Sequence, residues 1–221
     1  PTAPSGGLTI AAIPQREDPA DALIAPNAML EGLPPGARVG TGSLRRRAQL
    51  RALRPDLVMV EIRGNVDTRL RKLDAGEYDA IVLAAAGLRR LELSERITEL
   101  LAPPRMLPAP GQGALAIECR TDDGATKEVV RQLDDSATRV AVEAERSLLA
   151  RLEGGCSAPI AAWGRWDDEQ LVLDGLVAAT DGSTVLRSSA RGDAGNAATL
   201  VDRVAQELEA QGAREIVAAS R

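Results

Sequence analysis

Histidine is absent from this chain of 221 residues, and that omission removes Ser-His-Asp triads, Cys-His thiol hydrolases and every His-ligated zinc site. Phenylalanine is absent too, and two Trp and one Tyr make up the whole aromatic complement. That is too few to stack a strand of bases, so a single-stranded nucleic-acid module is disfavoured. The two cysteines, Cys119 and Cys156, do not make a disulfide framework in a chain long enough to bury its own core. A reducing, cytoplasmic setting is the expectation. No apolar run approaches the roughly 18 residues of a membrane span. Lysine is nearly missing, with Lys72 and Lys127 the only two among 27 basic residues. The arginine bias suits bidentate capture of planar carboxylates and equally suits a GC-rich genome; composition leaves both readings open.

What is present is a balanced globular composition, 44% hydrophobic and 27% charged, with a formal charge of −5. The length allows one large domain or two modest ones. Binding to nucleic-acid phosphates needs a basic face that an acidic chain supplies only locally. Any basic patch is therefore expected to be a pocket.

From Val39 to Ala102 the chain alternates apolar, β-rich runs (Val39 to Ser43, Leu57 to Ile62, Asp79 to Ala86) with Arg-rich helical segments. This βαβα pattern predicts an α/β fold with a parallel-rich sheet and ligands gathered at the carboxyl ends of its strands. Pro103-Pro104 and Pro108-Ala109-Pro110-Gly111 break the pattern, and Ala114 to Arg120 reads as a strand returning to a different sheet. A long helix is expected from Ser136, a candidate N-cap, to Leu152, ending at Gly154-Gly155 with Cys156 just beyond. Ile160 to Trp166, Leu171 to Ala179 and Thr184 to Ala190 then read as antiparallel strands, with a hairpin at Asp181-Gly182 and a closing helix from Ala197 to Gln211. The last block predicts a small α+β domain with an antiparallel sheet.

Three basic segments follow three strands. Thr41-Gly42-Ser43-Leu44-Arg45-Arg46-Arg47 turns from strand to helix, where free N–H groups, hydroxyls and a helix dipole make an anion site. Arg63-Gly64-Asn65-Val66-Asp67-Thr68-Arg69 does the same, with Asn65 as the cap. Arg89-Arg90 follows the third strand, so one cleft is expected to gather all three. Each segment also reads as an ordinary solvated first turn. Cys156, in the Gly-rich stretch Leu152-Glu153-Gly154-Gly155-Cys156-Ser157, reads either as a small buried residue or as an accessible sulfur for covalent attachment. Cys119, inside an apolar strand, reads as core.

Taken together and in order, Val39 to Arg46, Arg63 to Leu70, Pro110-Gly111-Gln112-Gly113-Ala114 and Leu152 to Cys156 resemble the porphobilinogen deaminase family; Ala84 to Leu91 and Arg16-Glu17-Asp18-Pro19 do so as well. The resemblance implies head-to-tail polymerisation of four porphobilinogens into hydroxymethylbilane, with loss of ammonia, for haem and related pigments. It implies a dipyrromethane cofactor attached by a thioether to Cys156, with Thr41, Ser43, Arg45 and Arg46 holding it. It likewise implies that Arg63, Arg69, Arg90 and Gln112 contact porphobilinogen or the growing chain.

It further implies two periplasmic-binding-protein-like domains and a third α+β domain bearing the Cys loop. Residues 15–109 would then form the second domain, 1–14 and 110–132 remnants of the first, and 133–221 the third. A monomer without nucleic-acid or membrane partners is expected. Gly42 stands where the family usually carries a hydroxyl residue. The family's catalytic Asp would lie upstream of Pro1, which makes an inactive isolated chain with exposed apolar surface the expectation. A carboxylate-binding receptor or effector-sensing domain of the same two-lobed architecture is the alternative, since fold does not fix function.

Overall fold

The computed structural model describes residues 6–26, 28–152 and 158–220. Four consecutive apolar residues, Ala80-Ile81-Val82-Leu83, leave no face for water, and the fold covers both: Ala80 and Val82 enter one core, Ile81 and Leu83 another. They belong to β5 (Ala80–Ala84), the centre of a five-stranded sheet with β2 (Asp21–Ile24), β3 (Arg38–Gly40), β4 (Val58–Val60) and β6 (Glu99–Leu101) in the order β4-β3-β5-β2-β6. β3 runs parallel to β4 and β5, whereas β2 runs antiparallel to β5 and β6. The sheet is thus mixed, with β2 alone opposing the common direction.

Helix α1 (Leu44–Leu53) covers one face of this sheet, where Leu50 packs with Val39 and Val82. Helices α2 (Val66–Asp74) and α3 (Ala85–Arg90) cover the other, where Leu70, Leu73 and Leu88 meet Ile81 and Leu83. The chain passes from β3 to β4 through α1, then returns past β3 to β5 through α2. Right-handed crossovers made in opposite directions place their helices on opposite faces. A crevice opens between them at the carboxyl ends of β3 and β4.

The strands are shorter than the apolar runs. Val39 to Ser43 stops being a strand at Gly40 because Ser43 serves as the N-cap of α1. Asp79 to Ala86 contracts to β5, since α3 begins at Ala85 and packs Ala85 and Leu88 into the same core. The expected strand Ala114 to Arg120 is β7 (Ile117–Arg120), paired antiparallel with β1 (Leu8–Ala12) in a separate two-stranded sheet. Cys119 is buried there. Helix α4 (Gly124–Arg131), not anticipated from the sequence, buries no side chain.

The C-terminal region is an antiparallel meander of β8 (Ile160–Asp167), β9 (Gln170–Ala178) and β10 (Val185–Gly192). Helices α5 (Ser136–Arg151) and α6 (Ala197–Ala210) cover one face through Leu148, Val204 and Leu208; a short α7 (Ala213–Ala219), also unanticipated, follows. The N-cap of α5 is Asp135, not Ser136: the Asp135 carboxylate accepts from the Thr138 N–H at 2.7 Å, the bond a cap provides. The other face of the meander rests on α1 through Ala48, Leu107, Ala161 and Leu176. The hairpin turns at Asp181-Gly182 as expected, with Gly182 at φ +79°, and Arg51 of α1 donates to the Thr180 carbonyl at 2.9 Å.

β8 and α5 touch at Gly164, where a Cβ would lie 2.8 Å from the Ala141 carbonyl oxygen. Backbone on both sides leaves little room to yield. Gly164→Ala is expected to cost about 1–3 kcal/mol, read as a lower urea midpoint at unchanged slope. Among the described residues no helix is long and apolar enough to cross a membrane.

Candidate anion-binding cleft

Two capped helix starts build the cleft. Beyond β3, the Thr41 N–H donates to the Val60 carbonyl at 2.9 Å, tying this strand end to β4. The Thr41 hydroxyl accepts from the Ser43 N–H at 3.2 Å, and the Ser43 side chain caps α1 by accepting from the Arg46 N–H. Beyond β4, Asn65 caps α2, its side-chain oxygen accepting from the Thr68 N–H at 2.9 Å. Between them lies an open cavity of about 590 Å³ bordered by Gly42, Ser43, Arg46, Glu61, Arg63 and Arg69. Two of the three basic segments therefore meet, as the β3-to-β4 topology requires.

The arginines differ in their commitments. Arg69 donates through Nε to the Gly64 carbonyl at 2.8 Å, and burial, then the nearby charge of Arg46, lowers its guanidinium from the ordinary value. Like charges crowded in this way favour an anion between them. Arg63 pairs with Glu61 across 2.7 Å near the cavity mouth. Gly42 contributes backbone to the wall; a Cβ there would sit 3.2 Å from the Ile62 carbonyl oxygen.

Beneath the cleft, Asp21 at the start of β2 is fully buried and holds Arg45 and Arg46 together. Arg45 Nη1 donates to Asp21 Oδ2 at 2.7 Å and to the Leu107 carbonyl at 2.6 Å, so this side chain faces inward. Arg46 Nε donates to Asp21 Oδ1 at 2.9 Å while its side chain borders the cavity. Gln112 closes the group: its Nε2 donates to the Pro19 carbonyl at 2.6 Å and to Asp21 Oδ1 at 2.9 Å, and its Oε1 accepts from Arg45 at 3.2 Å. Burial alone would raise the Asp21 carboxyl, but the charges of Arg45 and Arg46 prevail and hold it at about 2.

A second buried carboxylate fixes Gln112. Glu145 on α5 accepts from Arg16 Nη1 at 2.5 Å, from the Gly111 N–H at 2.6 Å and from the Gly164 N–H at 2.7 Å. Arg16 Nε in turn donates to the Gln112 carbonyl at 2.8 Å. Gly113 completes the junction at φ +85°, where a Cβ would lie 2.5 Å from the Glu17 carbonyl oxygen; only glycine fits.

The third basic segment does not border this cavity. α3 starts directly at the end of β5, so Arg89 and Arg90 fall in its last turn instead of its first. Arg89 pairs with Glu17 and Asp18 at 2.9 and 3.1 Å, and Arg90 donates to the Gly113 carbonyl at 2.7 Å. Cys156 lies outside the described residues. Asp21, Glu61, Arg16 and Glu145 were not singled out as site residues from the sequence. Arg16 lay in one of the segments that resemble the family, and Asp21 carried a local signal, an acid opening an apolar strand just after Pro19.

Comparison with known proteins decides the family. The model of the porphobilinogen deaminase dipyrromethane cofactor-binding domain matches residues 1–128, and that of the porphobilinogen deaminase C-terminal domain matches residues 139–210. This chain belongs to the porphobilinogen deaminase family. The porphobilinogen deaminase of Roseiflexus sp. (strain RS-1) is 52% identical over 96% of this chain and 70% of its own length. That of Nocardia farcinica is 53% identical over 98% of this chain and 66% of its own length. Among solved structures, a putative methionine-binding lipoprotein of Bacillus subtilis covers 60% of this chain and 63% of its own, at 12% identity and a TM-score of 0.41. The family reaction joins porphobilinogen units into hydroxymethylbilane in tetrapyrrole biosynthesis, and the family relation favours this enzyme over the receptor alternative.

Proposed function

We propose that the cleft between the first turns of α1 and α2 binds the carboxylates of the dipyrromethane cofactor and of the polypyrrole that grows from it. The observation that carries this reading is the set of three guanidinium groups, Arg46, Arg63 and Arg69, around one polar cavity. Each porphobilinogen brings an acetate and a propionate, so negative charge accumulates as units are added. Planar carboxylates match guanidinium forks, and hydrogen bonds to charged groups contribute about 1.5–3 kcal/mol each. The crowding of Arg46 against Arg69 fits such a ligand, because an anion relieves it. When bound, the dipyrromethane supplies the pyrrole terminus to which new units are joined.

In this reading Arg46 meets carboxylates at the cavity wall, while Arg45 adds its charge from behind. Two cations on one Asp21 leave a net positive charge under the ligand. Thr41 and Ser43 shape the α1 end, where Gly42 presents backbone alone. Gln112 and Arg90, at the junction that carries Gly113, contact porphobilinogen or the growing chain in this reading. Cys156 is the proposed thioether anchor. The domain division into 15–109, 133–221 and the paired segments 1–14 and 110–132 is supported by the three separate sheets. A monomeric cytoplasmic enzyme completes the proposal.

Arg63→Leu, made in the full-length enzyme, tests the cleft. The variant is expected to lose roughly tenfold or more in affinity for porphobilinogen or in elongation, since a carboxylate is left without its charged partner. Stopped-flow or steady-state assays of ammonia release, and binding of an unreactive pyrrole diacid, measure it. Unchanged binding and turnover would place the pocket elsewhere.

A further inference from the structure

We propose that Glu61 is a built-in competitor for Arg63: its carboxylate holds the guanidinium that a pyrrole carboxylate takes over on binding. The inference rests on the reading of the cleft as the pyrrole-carboxylate site. Glu61 and Arg63 stand two apart on the chain leaving β4, and Arg63 Nε donates to Glu61 Oε1 at 2.7 Å. The Tyr78 hydroxyl donates to the Glu61 carbonyl at 3.0 Å and fixes the backbone that carries the pair.

The three cleft arginines are not equally free to exchange partners. Arg46 is bound to Asp21, whose side chain is 0% exposed, and separating them would take one of its two cations from a buried carboxylate. Arg69 is anchored through Nε to the Gly64 carbonyl. Arg63 and Glu61, by contrast, have side chains 84% and 55% exposed. A displaced Glu61 carboxylate goes straight into water. Exchange at this pair therefore involves only a weak, solvent-screened interaction. Glu61 sets how strongly the cleft holds each arriving carboxylate, and its return to Arg63 favours release.

The test is calorimetric titration of the purified protein with a pyrrole that keeps the acetate and propionate but lacks the aminomethyl group, so that it binds without reacting. Glu61→Gln is expected to bind it about two- to fivefold more tightly than the parent, the range an exposed ion pair allows. Arg63→Gln should bind it more weakly, and adding Glu61→Gln to Arg63→Gln should then change nothing, since the effect runs through Arg63. Unchanged or weaker binding by Glu61→Gln overturns the inference, as does tightening that persists without Arg63. Should neither Arg63→Gln nor Arg69→Gln alter binding, the cleft assignment itself fails, which is a separate result.

Discussion

Asp21→Asn is expected to destabilise the protein by about 3–5 kcal/mol, because removing one partner of a buried ion pair leaves the other charge uncompensated. Here the stranded charges are two. Arg45 is 3% exposed, and neither it nor Arg46 has another carboxylate among the described ion pairs. Asn keeps one acceptor oxygen, so its NH₂ opposes a donor on one side or the other, either Arg45 Nη1 or the Arg46 and Gln112 pair. The variant should also bind pyrrole diacids poorly, since Arg46 is no longer held at the cavity wall.

The pH dependence follows from the same group. The folded-state Asp21 carboxyl lies at about 2, below its ordinary 3.8, so its ionisation favours the folded state. That contribution, on the order of 2 kcal/mol, is complete above about pH 4 and fades as the pH falls toward 2. Urea midpoints of the parent and Asp21→Asn should therefore converge as the pH falls through that window. A gap independent of pH would show that the charge is not what stabilises.

Glu145→Gln is expected to cost a similar 3–5 kcal/mol for a related reason with a different consequence. Burial pushes this carboxyl up from the usual glutamate range, while Arg16 and the Gly111 and Gly164 amides pull it back. Every neighbour is a donor, so a neutral amide there opposes its own NH₂ to one of them. The Arg16 side chain, 10% exposed, loses its counter-ion. Since Glu145 joins α5, β8 and the Pro110-to-Gly113 segment, amide exchange at Gly111 and Gly164 should accelerate together in the variant. A stability change confined to one of these amides would contradict the joint role.

The parts of the site legible in the sequence are the local ones. Asn65 could be read as a cap because a cap is a matter of a few consecutive residues, whereas Ser43 reads as the end of a strand and only the backbone shows that it caps α1; the alternation of apolar runs with Arg-rich segments was enough to set both basic turns at strand ends. Asp135 and Ser136 show the limit of that reading, since both can cap and only backbone geometry chooses between them. Arg90 stands outside the lining of this cavity although its segment follows a strand, because a strand end followed by arginines looks the same in sequence whether the helix starts before or after them. Asp21 and Glu145 act through partners 24 and 129 residues away, a relation that no local pattern encodes. Glu61 was hidden differently: in sequence it reads as one more charge beside a strand, and only the folded chain sets it at the cavity, paired with Arg63.

The central claim is that the arginine cleft serves a cofactor tethered at Cys156, and intact mass with peptide mapping tests it most directly. The full-length protein, purified from cells that make porphobilinogen, is expected to carry two pyrrole units on the Cys156 peptide, with the adduct reduced or lost in Asp21→Asn. A folded parent protein with a bare Cys156 thiol, or an adduct mapped to Cys119, would contradict it.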